Sequence, residues 1–391
     1  MIANDVNNPF LAQLMTKIRF GRPLLPEAQP FFNRTERVPA GRYAEVWFRT
    51  GGCQWDRQGG CTMCNYGIAV APSNEAMAES IDAALKALEG PIDELMISPS
   101  GSMLDPAEVP PEVRATAYRL ASEFPKKKFL VETRAEWVDD SAMAELRASQ
   151  PNDQAVAIEI GLESCDPWIL RFCVNKGCDA ESFSTAAKIA RRHGVQAYAN
   201  ISLGTAFLSP LEAIEDCITS VNWAFANGAS HVVVFPLHIK PYTLHDILNH
   251  DGRQGPPSLW DLVEVLDRLD PEVLPRVEIA WYRSYYDTTA KVRRSPSTCP
   301  ECHHAVVALL DRYRAEQSRV AVDRLLAHQC SCREHWRSNL SRPSNNLPER
   351  VEAEYYRLAE MFKLSDWLRQ RGTSLIAALR DPTSVPRAVG G

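Results

Sequence analysis

Short β-rich runs alternate with longer segments of helical periodicity from residue 43 onward, and this alternation limits the possible folds more than any other feature. The sequence predicts strands at residues 44–49, 94–98, 128–132, 155–160, 196–203, 231–236 and 277–282. Amphipathic segments lie between them, at residues 75–88, 111–124, 140–148, 182–192 and 210–226. Six or seven such βα units predict an α/β fold with a partial or complete barrel.

The length of 391 residues exceeds the roughly 250 to 300 residues at which a single core stops growing, so additional segments are expected beside one large domain. We predict an N-terminal extension at residues 1–40, a barrel at residues 41–290 and a C-terminal extension at residues 291–391. Within the last segment, helices are expected at residues 304–327 and 351–371, followed by a loose tail.

The composition indicates a metal-binding protein of a reducing compartment. No stretch approaches the roughly 18 uninterrupted apolar residues of a membrane span, and residues 1–10 lack the pattern of a secretory signal. The count of 11 cysteines is odd and most of them fall in tight groups, which favours metal ligation over disulfides. We therefore expect a cytoplasmic protein without a membrane partner.

Three cysteines, Cys53, Cys61 and Cys64, follow the first predicted strand directly. Loops after barrel strands gather at one mouth, so these thiols are expected beside the central cavity. They can hold three irons of a 4Fe-4S cluster and leave the fourth iron open to a substrate or cofactor. A zinc site completed elsewhere is the alternative, although no second ligand pair lies nearby in the sequence.

A second group of cysteines lies near the C-terminal end, at Cys299, Cys302, Cys330 and Cys332. Two close thiol pairs separated by a helix can close a tetrahedral metal site. Four thiolates serve zinc and an auxiliary iron-sulfur cluster alike, so both remain open. The close spacing favours a structural zinc site, and reduced cysteines without a metal are the remaining alternative.

Motifs in a fixed order along the chain resemble those of a known enzyme group. They are GCTMCNYG at residues 60–67, SGSMLD at 100–105, ETR at 132–134, GLES at 161–164, NKG at 175–177 and PPSLW at 256–260. This set resembles the radical SAM superfamily, and within it the archaeosine-biosynthesis radical SAM lyase family, which is related to the radical SAM domain of the Elongator catalytic subunit. The usual spacing in the superfamily is CxxxCxxC, whereas seven residues separate Cys53 from Cys61, so the spacing points to one branch.

The resemblance implies a set of residues that contact S-adenosylmethionine. These are Tyr66, Ser100, Gly101, Ser102, Glu132, Arg134, Glu159, Glu163, Asn200 and Ser202. Residues 100–102 would meet the methionyl ammonium, the charged strand ends would meet the ribose, ammonium or carboxylate, and Asn200 and Ser202 would meet the adenine or ribose. Ordinary turn chemistry and structural ion pairs are the alternatives.

Three candidate catalytic residues follow the fourth predicted strand: Lys176, Cys173 and Cys178. Lys176 is expected either to meet a substrate anion or to lie in a plain surface turn. One of the two cysteines could serve as a hydrogen donor or thiyl residue, but the commoner fate of such a cysteine is that of a buried small hydrophobe.

The resemblance implies an enzyme that cleaves S-adenosylmethionine to a 5′-deoxyadenosyl radical, with electrons from an external reductant of flavodoxin or ferredoxin type. Its implied reaction is C–N cleavage on a lysine-bearing deazaguanine nucleoside in tRNA. A radical SAM tailoring enzyme for a small molecule or natural product is the alternative, which the net charge of −6 favours. A non-catalytic iron-sulfur electron-transfer or binding protein is a second alternative, and it predicts a fully ligated cluster without a cofactor pocket.

Overall fold

The computed structural model describes residues 7–23, 31–67, 70–99, 101–283, 292–340 and 346–381, and its centre is an eight-stranded sheet. The strands follow one another in sequence order: β1 Phe31–Val38, β2 Gly41–Phe48, β3 Glu94–Ser98, β4 Lys128–Thr133, β5 Ala155–Glu163, β6 Gln196–Leu203, β7 His231–Pro236 and β8 Val277–Ile279. β1 and β2 are antiparallel, and all later neighbours are parallel. The sheet curls into a half-barrel, which confirms the predicted α/β fold in its partial form.

Helices connect the strands and make up the C-terminal part of the chain. They are α1 Pro9–Ile18, α2 Gln54–Arg57, α3 Asn74–Lys86, α4 Pro111–Glu123, α5 Asp140–Ala148, α6 Pro167–Ile169, α7 Ala180–Arg192, α8 Pro210–Ala226, α9 Leu244–His250, α10 Leu259–Arg268, α11 His303–Glu316, α12 Arg319–Ala327, α13 Ser331–Leu340, α14 Leu347–Met361, α15 Ser365–Arg371 and α16 Thr373–Arg380. A π-helical segment covers Leu170–Val174, and 3-10 turns cover Ala135–Trp137 and Leu274–Arg276. Within the described ranges, no helix is both long and apolar enough to cross a membrane.

Strand β3 illustrates why this sequence forms a parallel sheet. All of its residues are buried, because helices cover one face and the other face lies inside the half-barrel. Parallel strands buried on both faces therefore read as short apolar runs. The helix ends agree with this pattern, since α8 begins at a capping box of Ser209 and Glu212 with Pro210 at its first position.

Strand β1 is absent from the predicted strands and lies in the segment assigned to the N-terminal extension. Charged side chains alternate along it, so it carries little hydrophobic periodicity. These charges have partners on other elements: Arg34 Nη2 lies 2.5 Å from Glu45 Oε2, and Glu36 Oε2 lies 2.6 Å from Arg314 Nε. The strand is therefore specified by charge pairing across distant parts of the chain rather than by its own pattern.

Helix α11 lies between the two edge strands of the sheet. Arg314 pairs with Glu36 on β1 and also donates to the carbonyl oxygen of Ile279 on β8. The hydroxyl of Tyr313 donates to the carbonyl oxygen of Val277 over 2.9 Å. The C-terminal part of the chain thus fills the gap that the half-barrel leaves between its edges.

The prediction of two continuous C-terminal helices is wrong, because each of them is divided into two. Residues 304–327 fall in α11 and α12, because Gln317 is left-handed with φ 43° and Ser318 caps the next helix. Residues 351–371 fall in α14 and α15, which are separated at Lys363 with φ 57°. The tail that was expected to be loose contains α16, where the carbonyl of Leu379 accepts a 3.0 Å hydrogen bond from Trp168 Nε1.

Candidate active site and metal centres

A cavity of about 210 Å³ lies inside the half-barrel, and every strand of the sheet contributes to its wall. The cysteine loop that follows β2 closes one side of it. The predicted site residues on this wall are Cys53, Cys61, Cys64, Tyr66, Gly101, Glu132, Arg134, Glu159, Glu163, Lys176 and Asn200. The structure therefore brings the three N-terminal thiols together with most of the proposed cofactor contacts.

Other predicted cofactor contacts lie behind the wall. Ser102 is buried, and its hydroxyl bonds that of Thr133 over 2.8 Å. Ser202 is also buried and donates a hydrogen bond to Oε2 of Glu163. Ser100 lies outside the described residues. Ser102 and Ser202 therefore support wall residues rather than facing the cavity.

The two candidate hydrogen-donor cysteines also lie off the wall. Cys173 has no exposed surface, and burial raises the pKa of its thiol well above the usual value. Its carbonyl accepts a 2.7 Å hydrogen bond from Thr62 in the cysteine loop. Cys178 is partly exposed, and burial raises its pKa to about 11, although Lys176 and Arg134 act in the opposite direction. Of the two, Cys178 is the one next to charged wall residues.

An arginine from the N-terminal helix α1 region holds the cysteine loop. Arg19 Nη2 donates to the carbonyl oxygens of Cys61 and Cys64 over 3.0 and 2.7 Å. The same guanidinium lies 2.8 Å from Asp56 within the loop. Sequence analysis missed Arg19 because nothing in its local pattern connects it to the loop.

The turn after the π-helical segment clamps the same loop. Asn175 Nδ2 donates to the carbonyl oxygens of Gly59 and Gly60 over 3.2 and 3.1 Å. Its own carbonyl accepts a 2.9 Å hydrogen bond from Trp55 Nε1, and its Oδ1 accepts from the backbone of Asn8 over 3.3 Å. Asn175 therefore fixes the loop that carries the thiols.

The three loop thiols fit an iron-sulfur cluster better than a single ion. Among the described residues, the C-terminal cysteines form the only His/Cys/Asp/Glu group with ligand atoms all within 4.8 Å of one another. At least one pair among Cys53, Cys61 and Cys64 is therefore farther apart, while Cys61 and Cys64 are within hydrogen-bond distance. A four-iron cluster can accept thiolates that one ion cannot reach together, because it binds each thiolate on a separate iron. Hydrogen bonding from Cys64, and then the charges of Lys176 and Arg134, lower the pKa of Cys61 to about 7.

A buried ion pair lies beside the cysteine loop. Glu163 follows a bulge at the end of β5 and has φ 69°. Its Oε1 lies 2.9 Å from Lys176 Nζ, and its Oε2 accepts from Ser202. Burial alone would lower the pKa of Lys176, but Glu163 and Cys61 raise it above the usual value. Gly161 gives the pair its space, since a Cβ there would lie 2.6 Å from Lys176 Nζ.

Two cations with aromatic partners border the same cavity. The guanidinium of Arg134 lies 5.8 Å from the centre of the Trp55 ring. Lys240 Nζ lies 2.6 Å from the Tyr66 hydroxyl, and 4.0 and 4.9 Å from the ring centres of Tyr66 and Trp281. Sequence analysis missed Lys240, although its position in the loop after β7 is one that barrel enzymes use for their sites.

Below the cysteine loop the wall is acidic. Glu132 and Glu159 are register partners on β4 and β5. Burial raises the pKa of Glu132 to about 7, although Ser98 donates to its carboxylate over 2.7 Å. Burial and then neighbouring carboxylates raise the pKa of Glu159 well above its usual value.

The C-terminal cysteines form a compact group that can bind a metal. Their sulfur atoms are 3.5 Å apart in the pairs Cys299–Cys302, Cys299–Cys330 and Cys302–Cys332. A tetrahedral ion with metal–sulfur bonds of about 2.3 Å places its thiolates about 3.8 Å apart. Trp260 Nε1 donates to Cys332 Sγ over 3.3 Å, which is the kind of outer hydrogen bond that orients a metal ligand.

Comparison with known proteins gives the family. No family model matches the chain. Archaeosine synthase subunit beta of Methanosarcina acetivorans is 31% identical over 303 residues, which is 75% of this chain and 84% of that protein. The protein of the same name from Thermococcus kodakarensis is 28% identical over 298 residues, which is 73% of this chain and 87% of that protein. The structure of the archaeal Methanocaldococcus infernus Elp3 matches 53% of each chain at 13% identity, with a TM-score of 0.40.

The similarity to the two archaeosine synthase subunits confirms the resemblance that the ordered motifs indicate. The matched region of the first relative spans three quarters of the chain, so it includes far more than the cysteine loop. The chain therefore belongs to the archaeosine synthase subunit beta family of radical SAM enzymes.

Proposed function

We propose that the protein is the radical-generating subunit of an archaeosine synthase, which cleaves a C–N bond in a lysine-bearing deazaguanine nucleoside of tRNA. One observation carries the proposal: Cys53, Cys61 and Cys64 share a cavity with the buried Glu163–Lys176 pair, in a chain of this family. A fully ligated electron-transfer cluster needs no such enclosed, charged wall. Radical chemistry does, because the wall excludes water from the reacting atoms.

Cys53, Cys61 and Cys64 would hold three irons of a 4Fe-4S cluster. When bound, the cluster and S-adenosylmethionine supply a 5′-deoxyadenosyl radical that removes a substrate hydrogen. The chain itself keeps the cysteine loop in place through Arg19 and Asn175, whose hydrogen bonds end on loop carbonyl groups. Its contribution is position and exclusion of water.

The cofactor contacts follow from the charges on the wall. The carboxylate of Glu163, held by Ser202 and Lys176, offers acceptors for ribose hydroxyl groups. The forked guanidinium of Arg134 suits the carboxylate of the amino-acid moiety. Gly101 leaves room beside the loop, since a Cβ there would lie 2.8 Å from the Cβ of Cys53.

Of the two remaining catalytic candidates, Lys176 lines the cavity, and Cys178 lies off the wall but near the charge of Lys176. Lys176 faces the cavity while it is paired with Glu163, so it can contact a substrate anion without losing its counter-charge. Cys178 lies close enough to the charges of Lys176 and Arg134 for both to lower its pKa, which supports it over the buried Cys173 as a thiol donor.

The names of the relatives point to a partner. They are called subunit beta, and we infer that this chain also acts with a second subunit on tRNA. A flavodoxin or ferredoxin would supply the single electron. We infer the cytoplasm, because a reducing compartment keeps the cysteines of metal sites available as ligands.

We assign zinc to the C-terminal cysteines. The sulfur separations of 3.5 Å leave space for one tetrahedral ion, whereas a four-iron cluster spreads its thiolates over separate irons. Cys302, one of these four cysteines, directly precedes α11. The ion would therefore fix the start of the helix that spans β8 and β1.

An anaerobic assay tests the function. Reconstituted protein, S-adenosylmethionine and dithionite are mixed with tRNA that carries the lysine-modified deazaguanine, with and without the second subunit. We expect release of 5′-deoxyadenosine and conversion of the nucleoside to an amidine, detected by mass spectrometry. Cys61→Ala should abolish both products, while Cys217→Ala, which changes a buried cysteine outside the wall, should retain them.

The outcomes separate the alternatives. Absence of 5′-deoxyadenosine from a cluster-loaded enzyme under all these conditions contradicts the radical reaction. Release of 5′-deoxyadenosine with a small-molecule substrate, while the tRNA nucleoside stays intact, supports the tailoring-enzyme alternative. Salt-dependent binding of tRNA to the chain is an independent measure of the nucleic-acid substrate.

A further inference from the structure

We propose that the acidic part of the cavity wall binds a positively charged nitrogen group of the substrate, an ammonium or an amidinium. This part, the acceptor wall, consists of Glu132, Glu159 and Asn200 on the neighbouring strands β4, β5 and β6. The inference rests on the proposed function only in treating the ligand as the substrate. The recognition chemistry itself follows from the three side chains.

The carboxylates of the acceptor wall lack a counter-charge. In the described part of the chain, no cation lies within ion-pair distance of Glu132 or Glu159, and the groups that bond them are Ser98 and Asn200. The neighbours that act most strongly on Glu159 are other carboxylates, led by Glu278. Two adjacent buried carboxylates are costly unless a proton or a cation neutralises the charge, and a bound cation does so while keeping both groups as acceptors.

The other carboxylates of the cavity differ in this respect. Glu45 lies 2.5 Å from Arg34, and Glu163 lies 2.9 Å from Lys176. The field of Arg314 favours the charged form of Glu278. No ion pair is present at Glu132, Glu159 or Glu278 within the described residues. The charged neighbour that acts most strongly on Glu278 is an arginine, whereas for Glu132 and Glu159 it is another carboxylate.

Asn200 supplies an independent observation. The residue is 7% exposed, and its side chain bonds the carboxylate of Glu159. Its Oδ1 is buried and has no hydrogen-bond partner among the described residues. A buried acceptor without a donor is unfavourable, so this atom also requires a ligand that donates. An ammonium or amidinium provides several N–H donors and a positive charge at once.

The depth of the acceptor wall separates it from the cofactor. Glu159 precedes Glu163 by four residues on β5 and, because of the bulge, by three register steps on β6, which is about 10 Å along the strand at about 3.3 Å per residue. Glu132 lies level with Glu159 by sheet register. A cation bound there belongs to a molecule that reaches below the Glu163–Lys176 pair, and we assign it to the substrate. This assignment replaces the sequence-based expectation that Glu132, Glu159 and Asn200 contact S-adenosylmethionine.

The test compares n-pentylammonium, pentanamidinium and the neutral 1-pentanol as probes. Each is titrated by ligand-observed NMR into the reconstituted full-length protein with S-adenosylmethionine present. We expect at least one cation to bind about tenfold or more tightly than the alcohol, because a charge-assisted hydrogen bond contributes that much. Glu159→Gln should remove this preference and leave the affinity for 1-pentanol and for S-adenosylmethionine unchanged.

Two further variants keep the test decisive. Asn200→Asp adds a charge to the acceptor wall and should strengthen cation binding, a gain that misfolding cannot produce. Asp216→Asn neutralises a buried carboxylate outside the wall and should leave the binding of all three probes unchanged. Equal binding of cation and alcohol, an unchanged Glu159→Gln variant, or loss of S-adenosylmethionine binding in that variant would each overturn the inference.

The proposed function fails separately from this inference. The tRNA nucleoside can remain unconverted while the unmodified protein prefers the cation and Glu159→Gln does not. In that case the acceptor wall binds cations as proposed, and the substrate assignment is wrong. If the tRNA reaction proceeds and Glu159→Gln leaves its KM unchanged, the proposed function stands and the acceptor wall is overturned.

Discussion

Replacing Lys176 with Met should leave the Glu163 carboxylate buried without its counter-charge. Lys176 Nζ and Glu163 Oε1 are 2.9 Å apart, and the two side chains are 6% and 8% exposed. At an effective dielectric constant of about 20, this separation corresponds to an attraction of about 6 kcal/mol, part of which offsets the desolvation of both groups. Removing one partner of such a pair lowers the free energy of unfolding by about 3–5 kcal/mol.

The free energy of unfolding is measured by urea titration at neutral pH, on variants with equal iron and zinc content. Glu163→Gln combined with Lys176→Met is the matched control, because no buried charge of the pair remains. This double variant should recover most of the loss. A loss below about 1 kcal/mol in Lys176→Met, the value typical of exposed pairs, would refute the reasoning. So would a double variant as unstable as the single one.

Three other predictions concern separate parts of the molecule. Burial raises the pKa of Asp216 to about 7, so its contribution to the free energy of unfolding is present below about pH 4 and is lost as pH rises through 7. Asp216→Asn should therefore reduce the fall in the free energy of unfolding between about pH 4 and pH 7, as measured by urea titration. A Cβ at Gly52, where φ is +79°, would lie 1.9 Å from the Tyr66 carbonyl oxygen, so Gly52→Ala should prevent cluster assembly as judged by iron content, whereas Gly194→Ala, with φ +69° and open space, should not. Cys302→Ser should remove one zinc per chain in metal analysis and lower the thermal midpoint, and retained zinc would contradict a four-cysteine site.

The parallel strands were predictable because strands that are buried on both faces consist mainly of apolar residues. The bounds predicted for β3, β6 and β7 agree with the structure, since each strand is a short, largely apolar run between polar turns. The two cysteine groups were also visible, because ligand spacing within a loop survives without any tertiary information. Fold class and metal chemistry are thus largely local properties of this sequence.

The features that the sequence did not predict depend on contacts between distant segments. Strand β1 has charged inward-facing residues whose partners include Arg314, far along the chain, so no local period marks it. Arg19, which directly follows α1, reaches the cysteine loop from a segment more than 30 positions earlier. The helix breaks at Gln317 and Lys363 carry neither Gly nor Pro, the residues that usually signal a left-handed turn. Local sequence patterns indicate which residues are buried and where turns occur, but they do not indicate which charged residues from distant segments form ion pairs.

Helix α11 links two regions that would otherwise be independent. Cys302 directly precedes its first residue, and Arg314, twelve residues on, lines the cavity about 18 Å away along the axis. An ion held by the four C-terminal cysteines would therefore set the position of a charge on the cavity wall. A chelator that never enters the cavity should still alter the field around Glu36 and Glu278, so activity is expected to follow zinc occupancy even when the iron content is constant.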